Sequence, residues 1–132
     1  MTHPAGLDIG TTFLRLRGDG SVEPLPAGDD FWTRLMGGKL GDFHHEYLVT
    51  TARYDADWPG WEVHPLGEEI VLLLSGDVNF VLELDGGTRQ VALQQTGSYV
   101  IVPRGTWHTA KVHAPSHLLF ITAGEGTHGR PV

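Results

Sequence analysis

The segment from residue 62 to residue 69 contains two carboxylates and an imidazole at positions where they can converge. Glu62 and His64 are two residues apart, and side chains at positions i and i+2 of a strand project from the same face. Pro65 and Gly67 turn the chain, so that Glu69 begins the next strand beside them. We therefore expect Glu62, His64 and Glu69 to meet at one spot, with oxygen and nitrogen atoms suited to proton transfer or ligand binding.

A fourth donor follows in the segment from residue 97 to residue 108. Residues 98–102 have the composition of a strand, and Pro103 and Gly105 make a tight turn after it. His108 then stands at the start of the returning strand. This position places its imidazole near the end of a barrel strand, where metal and ligand sites usually lie.

The elements that must position these side chains are short strands. Runs rich in β-branched and aromatic residues alternate with turn residues at regular spacing, and Asp85-Gly86-Gly87 is a strong hairpin signal. This pattern predicts an all-β sandwich or barrel. The predicted strands cover residues 11–17, 47–54, 61–64, 69–74, 78–84, 88–93, 98–102, 107–112 and 117–122.

Three segments depart from the strand pattern. Residues 31–36 follow two aspartates and precede two glycines, which predicts a short helix near the N-terminus. The Pro-rich residues 21–28 and the Gly-rich tail from 124 to 132 are predicted to be loops. No repeat or shift of composition divides the chain, so we expect residues 1–132 to form a single domain.

The composition excludes several classes of protein and site. The absence of cysteine excludes disulfides, zinc–thiolate sites, iron–sulfur clusters and cysteine nucleophiles, so nitrogen and oxygen must hold any metal. The net charge of −7 argues against binding to nucleic acid or to an anionic membrane surface. No apolar run approaches the roughly 18 residues that a membrane-spanning helix needs. Residues Met1 to Pro4 lack the pattern of a signal peptide, so we expect a cytoplasmic protein.

The segment that contains His108 resembles the second sequence motif of the cupin family, G-x5-P-x-G-x2-H-x3-N. The match runs from Gly97 to His108 and includes each fixed position in that range. Only the final asparagine differs, because Val112 stands in its place.

The segment around His64 resembles the first cupin motif, G-x5-H-x-H-x3-4-E-x6-G, in part. His64 takes the place of the second histidine, Glu69 that of the glutamate and Gly76 that of the closing glycine. Glu62 replaces the first histidine, and Gly60 lies closer to it than the opening glycine of the motif does.

The resemblance, whose motif core spans about residues 60–112, implies a double-stranded β-helix, which is the jelly-roll cupin barrel, with a metal ion inside one mouth. The implied metal ligands are His64, Glu69 and His108, a set that can hold a divalent ion and leave open positions for a substrate. Glu62 is then a fourth metal ligand, a catalytic base beside the metal, or the sign of a barrel that has lost its metal. Cupins commonly bind iron, manganese, nickel, zinc or copper.

The resemblance leaves more than one function open. The first is a metal-dependent enzyme, dioxygenase-like or isomerase-like, that acts on a small polar, carbohydrate-like or carboxylated molecule. The alternative is a non-enzymatic cupin that binds or senses a small ligand without metal. A structural role like that of seed-storage proteins is a third, and a 132-residue single barrel with one intact histidine motif argues weakly against it. Because many single-barrel cupins pair through edge strands, the resemblance also implies a homodimer.

His44 and His45 form a second group of imidazoles. If they lie on a strand, adjacent side chains face opposite ways, and at most one of the two points inward. Their spacing therefore does not predict a metal site.

Overall fold

Antiparallel strands dominate the structure, a computed structural model that describes residues 5–123 and 125–131. The all-β jelly-roll fold and the short N-terminal helix predicted from the sequence are confirmed. Within the described residues, no helix has the length and apolar character to span a membrane. The elements in these ranges are β1 Thr12–Leu16, β2 Val22–Pro26, α1 Phe31–Met36, β3 Tyr47–Tyr54, β4 Gly60–Val63, β5 Glu69–Leu84, β6 Gly87–Leu93, β7 Tyr99–Val102, β8 His108–Thr122 and β9 His128–Pro131.

Two long strands, β5 and β8, form the frame of the barrel. They pair over most of their length, with Glu69 opposite Thr122 at one end of the ladder and Leu82 opposite His108 at the other. β3 and β7 flank one half of this ladder, and β4 and β6 flank the other half. Each long strand therefore contributes to both halves of the jelly roll.

The ladder between β5 and β8 bends in its middle, and a glycine makes the bend possible. The pairing register shifts between Leu73 and Val78, as in a β-bulge. Gly76 has a φ of 110°, and a Cβ atom at this position would lie 2.6 Å from the Cα of Ser116. A residue with a side chain would therefore meet both backbone strain and a steric clash here. Ser116 Oγ accepts a hydrogen bond from the backbone N–H of Asp77 at 3.0 Å and stabilises the crossing.

Because of this bend, the predicted boundaries of two strands differ from those in the structure. The sequence predicts a break at residues 75–77 and separate strands at 107–112 and 117–122, whereas β5 and β8 each continue through these positions. Turn-forming residues mark the bend correctly, but the bulge accommodates them without ending the ladder. A bulge and a turn have similar composition, and only the long-range pairing distinguishes them.

The two predicted loops are also corrected, because each contains a strand. Residues 22–26 form β2, which pairs with β1 and with no other described strand. An edge strand tolerates Pro24 and Pro26, since a proline has no backbone N–H to donate. In the tail, β9 pairs with β4 from Gly60 to Val63. Residues 124 and 132 of that tail, and residues 1–4 considered as a signal segment, lie outside the described residues.

The interior of the barrel is apolar, and a second apolar cluster lies beside it. Inward-facing side chains of β5 alternate with outward-facing ones, as expected for a period of two. Each fully buried aliphatic or aromatic side chain stabilises the fold by about 1.5–3 kcal/mol. In the second cluster, Phe31 of α1 packs with Phe13, Phe43 and Leu48, which attaches the helix to β1 and β3. The first cluster includes Val71, Leu73, Val78, Phe80, Val102, Ala110 and Leu118.

Candidate metal centre

Three strands bring the four predicted donors to one end of the barrel. Glu62 lies on β4 and His64 directly after it, Glu69 begins β5, and His108 begins β8. Glu62 pairs opposite His108, whereas Glu69 lies at the far end of the ladder from His108. The bend near Gly76 folds this ladder back on itself, so both of its ends reach the same mouth.

The distances between the donor atoms are short. Nε2 of His108 lies 3.1 Å from Oε1 of Glu69, and Nε2 of His64 lies 3.3 Å from Oε2 of Glu69. Oε2 of Glu62 lies 3.9 Å from Nε2 of His64. One donor atom from each of Glu62, His64 and His108 falls within 4.8 Å of the other two. The structure thus brings all four predicted side chains together.

Neighbouring groups hold both imidazoles with Nε2 directed at the centre. Nδ1 of His108 donates to the backbone carbonyl of Thr106 at 3.0 Å, which leaves Nε2 as the unprotonated nitrogen of the neutral ring. Nδ1 of His64 lies 2.9 Å from the hydroxyl oxygen of Thr127. The hydroxyl of Thr122 donates to Oε2 of Glu69 at 2.6 Å. Metal-binding histidines and carboxylates are commonly oriented by such contacts.

The turn of the second motif is attached to the His64 segment. The backbone N–H of Gly105 donates to the carbonyl of His64 at 3.0 Å, and Gly105 has a φ of 71°. This conformation favours glycine over other residues. The turn therefore fixes the relative positions of the segments that carry His64 and His108.

Three atoms at the centre are buried without a hydrogen-bond partner in the described part of the chain. They are Nε2 of His64, Nε2 of His108 and Oε1 of Glu69. They approach each other closely, but they form no aligned hydrogen bond. A buried polar atom left unpaired costs about 1–3 kcal/mol, so three at one point are expected to serve a ligand. A divalent cation fits this donor set, because imidazole nitrogen and carboxylate oxygen both bind such ions.

The two carboxylates differ in their environment and in their pKa. Burial opposes the charge of Glu69, yet the contacts with His108 and His64 lower its pKa to about 2, so it is ionised at neutral pH. Burial and the charge of Glu69 raise the pKa of Glu62. Burial also opposes the charge of His108, but Glu69 and the Thr106 carbonyl raise its pKa overall. Glu69 thus supplies fixed negative charge, while Glu62 is the carboxylate more readily protonated.

Solved structures with a similar fold include two enzymes. Oxalate decarboxylase from Bacillus subtilis is 19% identical over 66% of this chain and 23% of its own, with a TM-score of 0.52. An oxalate oxidase is 16% identical over 61% of this chain and 44% of its own, with a TM-score of 0.51. Both belong to the cupin superfamily. The chain has the cupin fold.

The similarity is limited to the fold. This chain spans less than half the length of either enzyme. A cupin-2 domain protein from Shewanella frigidimarina is 16% identical over 57% of this chain and 68% of its own, with a TM-score of 0.49. No protein-family model and no curated protein sequence matches the chain.

A cavity of about 430 Å³ leads from the donors of the cupin barrel to helix α1. Its inner end includes Glu62, His64 and Glu69. Its walls carry aromatic side chains from β3, β8, α1 and the connecting segments, and no lysine or arginine is found among its described lining residues. Of the aromatic residues in this wall, the sequence points only to Phe43, as a residue of either the core or the pocket. The aromatic residues that line the cavity are Trp32, Phe43, Tyr54, Trp58 and Phe120.

The alternation of side chains along a strand could have predicted one of these aromatic residues, Tyr54. Tyr54 is an even-numbered residue of β3, as are the cavity-lining Thr50 and Ala52, so it faces inward with them. Trp58 lies in the turn between β3 and β4, where no periodicity applies. Its position is set by a long-range bond from its backbone N–H to the carbonyl of Ala110 at 3.0 Å.

His44 and His45 lie in a turn. The expectation that their side chains face opposite ways, as on a strand, is therefore wrong. His45 has a φ of 54°, and the two exposed rings stack with centroids 3.9 Å apart. Nδ1 of His44 lies 3.0 Å from Oε1 of Glu125 at the edge of the cavity. The pair does not join the four donors of the centre.

Proposed function

We propose that this protein is a metal-dependent cupin enzyme that acts on a small molecule bound in the cavity. One divalent metal ion is held by His64, Glu69 and His108, with Glu62 beside it. The observation that carries the proposal is the set of three buried and unpaired atoms at the centre, two imidazole Nε2 atoms and one carboxylate oxygen. The contacts at Nδ1 of both rings, which leave each Nε2 directed at the centre, support the proposal.

The donor chemistry favours iron or manganese over copper. Two carboxylates and two imidazoles make the centre richer in oxygen and in negative charge than a site with three histidines, and this favours harder divalent ions. Manganese(II) centres are present in oxalate decarboxylase, which has the same fold. When bound, such an ion polarises a carbonyl or activates dioxygen, which covers the isomerase-like and dioxygenase-like alternatives.

Glu62 and Glu69 take different roles in this proposal. Glu69 is buried, ionised and hydrogen-bonded to Thr122, so it serves as a fixed ligand. Glu62 is 47% exposed, lines the cavity and has a raised pKa. A carboxylate of that kind can accept a proton from a bound molecule and return it, which is the work of a general base.

One observation favours a second function, a cupin that binds or senses a small ligand without metal. The carboxylate of Glu69 lies between both imidazoles, and a protonated His108 would form an ion pair with it. Such an arrangement is internally neutralised without a cation. The aromatic cavity would then be the ligand site on its own.

The metal content of the protein separates the two functions. The chain is purified without chelator, its metal is measured by mass spectrometry, and metal-free protein is titrated with Mn²⁺ and Fe²⁺. We expect about one ion per chain in the wild type and loss of binding in His108→Ala. His113→Ala is the matched control, because His113 lies exposed on the same strand away from the centre. Absence of bound metal together with absence of binding on titration would overturn the enzyme proposal and leave the second function.

The homodimer remains a proposal that rests on the resemblance to single-barrel cupins. β7 is hydrogen-bonded only to β5 among the described strands, and its alternate residues Tyr99 and Ile101 are 58% and 51% exposed. An edge of this kind needs cover or charge to avoid unspecific pairing. Analytical ultracentrifugation of wild type and Ile101→Lys tests the pairing: a dimer that becomes a monomer supports it, and a monomeric wild type contradicts it. The cytoplasmic location stays a prediction.

A further inference from the structure

Aromatic rings surround the cavity and favour a flat, apolar ligand. Tyr54, Trp58 and Phe120 form one cluster, with ring centroids 5.7 Å, 6.1 Å and 6.4 Å apart. Trp32 and Phe43 line the side nearer α1. Aromatic pairs contribute about 0.5–1.5 kcal/mol beyond the burial of their area, so a planar ring gains more here than an aliphatic one. The volume lies near the lower end of the roughly 300–1,000 Å³ typical of ligand pockets, which suits one or two rings.

A buried indole N–H in the same wall needs an acceptor. Trp58 is 7% exposed, and its Nε1 is buried with no hydrogen-bond partner among the described residues. Indole Nε1 can only donate, and buried tryptophans usually have a partner for it. The ring of Trp58 lies 6.2 Å from that of His108, close to the metal donors. Because Trp58 lines the cavity, a ligand oxygen that reaches Nε1 would satisfy the donor.

The charges of the cavity disfavour an anionic ligand. The described lining residues include the carboxylates of Asp42, Glu62, Glu69 and Glu125, with no lysine or arginine to offset them. Glu125 is paired with His44 at the rim. One divalent ion would balance only the two inner carboxylates. A ligand that brings its own carboxylate therefore meets repulsion along the cavity. The same carboxylates attract a cation, but an ammonium group has no lone pair for the Trp58 N–H and would leave this buried donor unpaired.

We propose that the cavity takes an uncharged aromatic molecule with a hydroxyl or carbonyl oxygen, which accepts the indole N–H of Trp58. This inference rests on the proposed function for the identity of the site. It replaces the polar, carbohydrate-like or carboxylated substrate expected from the sequence with a less polar class. The ring lies among the aromatic side chains, and the oxygen is directed toward the metal donors.

A set of matched probes tests ring, charge and oxygen separately. The wild-type protein is titrated by NMR with phenol, benzoate, benzylamine, cyclohexanol and toluene. Each titration is done once without metal and once with Zn²⁺, which is used instead of Mn²⁺ because it is diamagnetic. Phenol is expected to bind at least about tenfold more tightly than each of the other four probes. Benzoate or benzylamine that binds as tightly as phenol would overturn the proposal, as would equal binding of cyclohexanol.

The indole donor is tested by Trp58→Phe. Loss of the N–H is expected to lower the affinity for phenol by about tenfold, which corresponds to a hydrogen bond of about 1.4 kcal/mol. The affinity for toluene, which has no oxygen, should be nearly unchanged. Trp107→Phe is the matched control, since Trp107 packs against Arg130 outside the cavity. A loss that is equal for phenol and toluene would contradict the role of the N–H. If Trp58→Phe does not fold, Trp32→Ala at the half-exposed rim tests the aromatic wall, and unchanged phenol binding in that variant would overturn the proposal.

The two proposals can fail separately. If metal binds in the titration, but phenol binds neither the metal-loaded nor the metal-free protein, the ligand class is wrong and the metal-dependent function stands. If phenol binds in the expected order and no metal binds, the ligand class stands and the metal-dependent function is wrong.

Discussion

The inner end of the cavity and its outer wall are built in different ways. The inner end includes three buried donors, His64, Glu69 and His108, and each is oriented by a contact with a neighbouring group, such as the hydrogen bond from Thr122 to Glu69. The outer wall consists of aromatic side chains, and part of it comes from α1 and the connecting segments, with Trp32 half-exposed. The rigid frame thus positions the chemical groups, while the less regular segments shape the space for the ligand. The inner end should therefore control metal affinity and the outer wall ligand affinity.

The largest effect is expected from Glu69→Gln at the inner end. The substitution keeps the shape of the side chain but removes the charge that faces both imidazoles. Metal affinity should therefore fall by about 100-fold or more, because the loss of a ligand costs at least as much as the loss of a residue that only orients one. Competition titration with a fluorescent chelator measures the change. Glu68→Gln is the control, because Glu68 is the exposed neighbour of Glu69. A loss below about threefold would mean that Glu69 is not a ligand.

A smaller effect is expected from Thr122→Val, which preserves side-chain shape and removes the hydrogen bond to Glu69. Because that bond orients the carboxylate, we expect metal affinity to fall by about tenfold with the fold unchanged. The same chelator competition measures it. Thr51→Val is the matched control, since its hydroxyl bonds to the carbonyl of Ile9, outside the cavity. Equal effects of the two variants would show that the loss comes from the barrel in general.

Trp32→Ala at the outer wall should leave metal affinity within about twofold of wild type. Trp32 has no contact with the metal donors and packs on Phe13 and Phe31. Because the residue is half-exposed, its removal should lower the free energy of unfolding by about 1 kcal/mol or less. Chelator competition and chemical denaturation measure the two quantities. A metal affinity that falls as far as in Thr122→Val would remove the proposed division between the two regions.

The smallest effect concerns the rim, where His44 meets Glu125. The hydrogen bond and charge of Glu125 raise the pKa of His44 above its ordinary value. A raised pKa in the folded state means that the pair stabilises the fold below the ordinary histidine pKa, and that this contribution disappears as the pH rises through the folded value. An NMR titration of the His44 ring should show this pKa returning toward the ordinary value in Glu125→Gln. His113, which is exposed on β8, serves as the internal reference, and an unchanged His44 titration would exclude the contact in solution.

The inner end of the cavity was easier to predict from the sequence than its outer wall. The convergence of His64, Glu69 and His108 could be predicted because the local spacing of the two motifs places each near a strand end. The alternation of side chains along a strand likewise predicted that Glu62 lies beside His64. The continuation of β5 through Gly76 was not predictable, because a bulge and a turn use the same residues. β9 was missed because a glycine-rich segment acquires its strand conformation only by pairing with β4. Trp58 was missed because a long-range bond to Ala110 sets its position.

The central claim is that one metal ion lies between the imidazoles of His64 and His108. A crystal of the protein grown with Mn²⁺ and measured on both sides of the manganese absorption edge tests this directly. We expect one anomalous peak per chain within bonding distance, about 2.0–2.3 Å, of both Nε2 atoms and of a Glu69 oxygen. Clear density for both imidazoles with Glu69 still between them, and with no anomalous peak there, would contradict it.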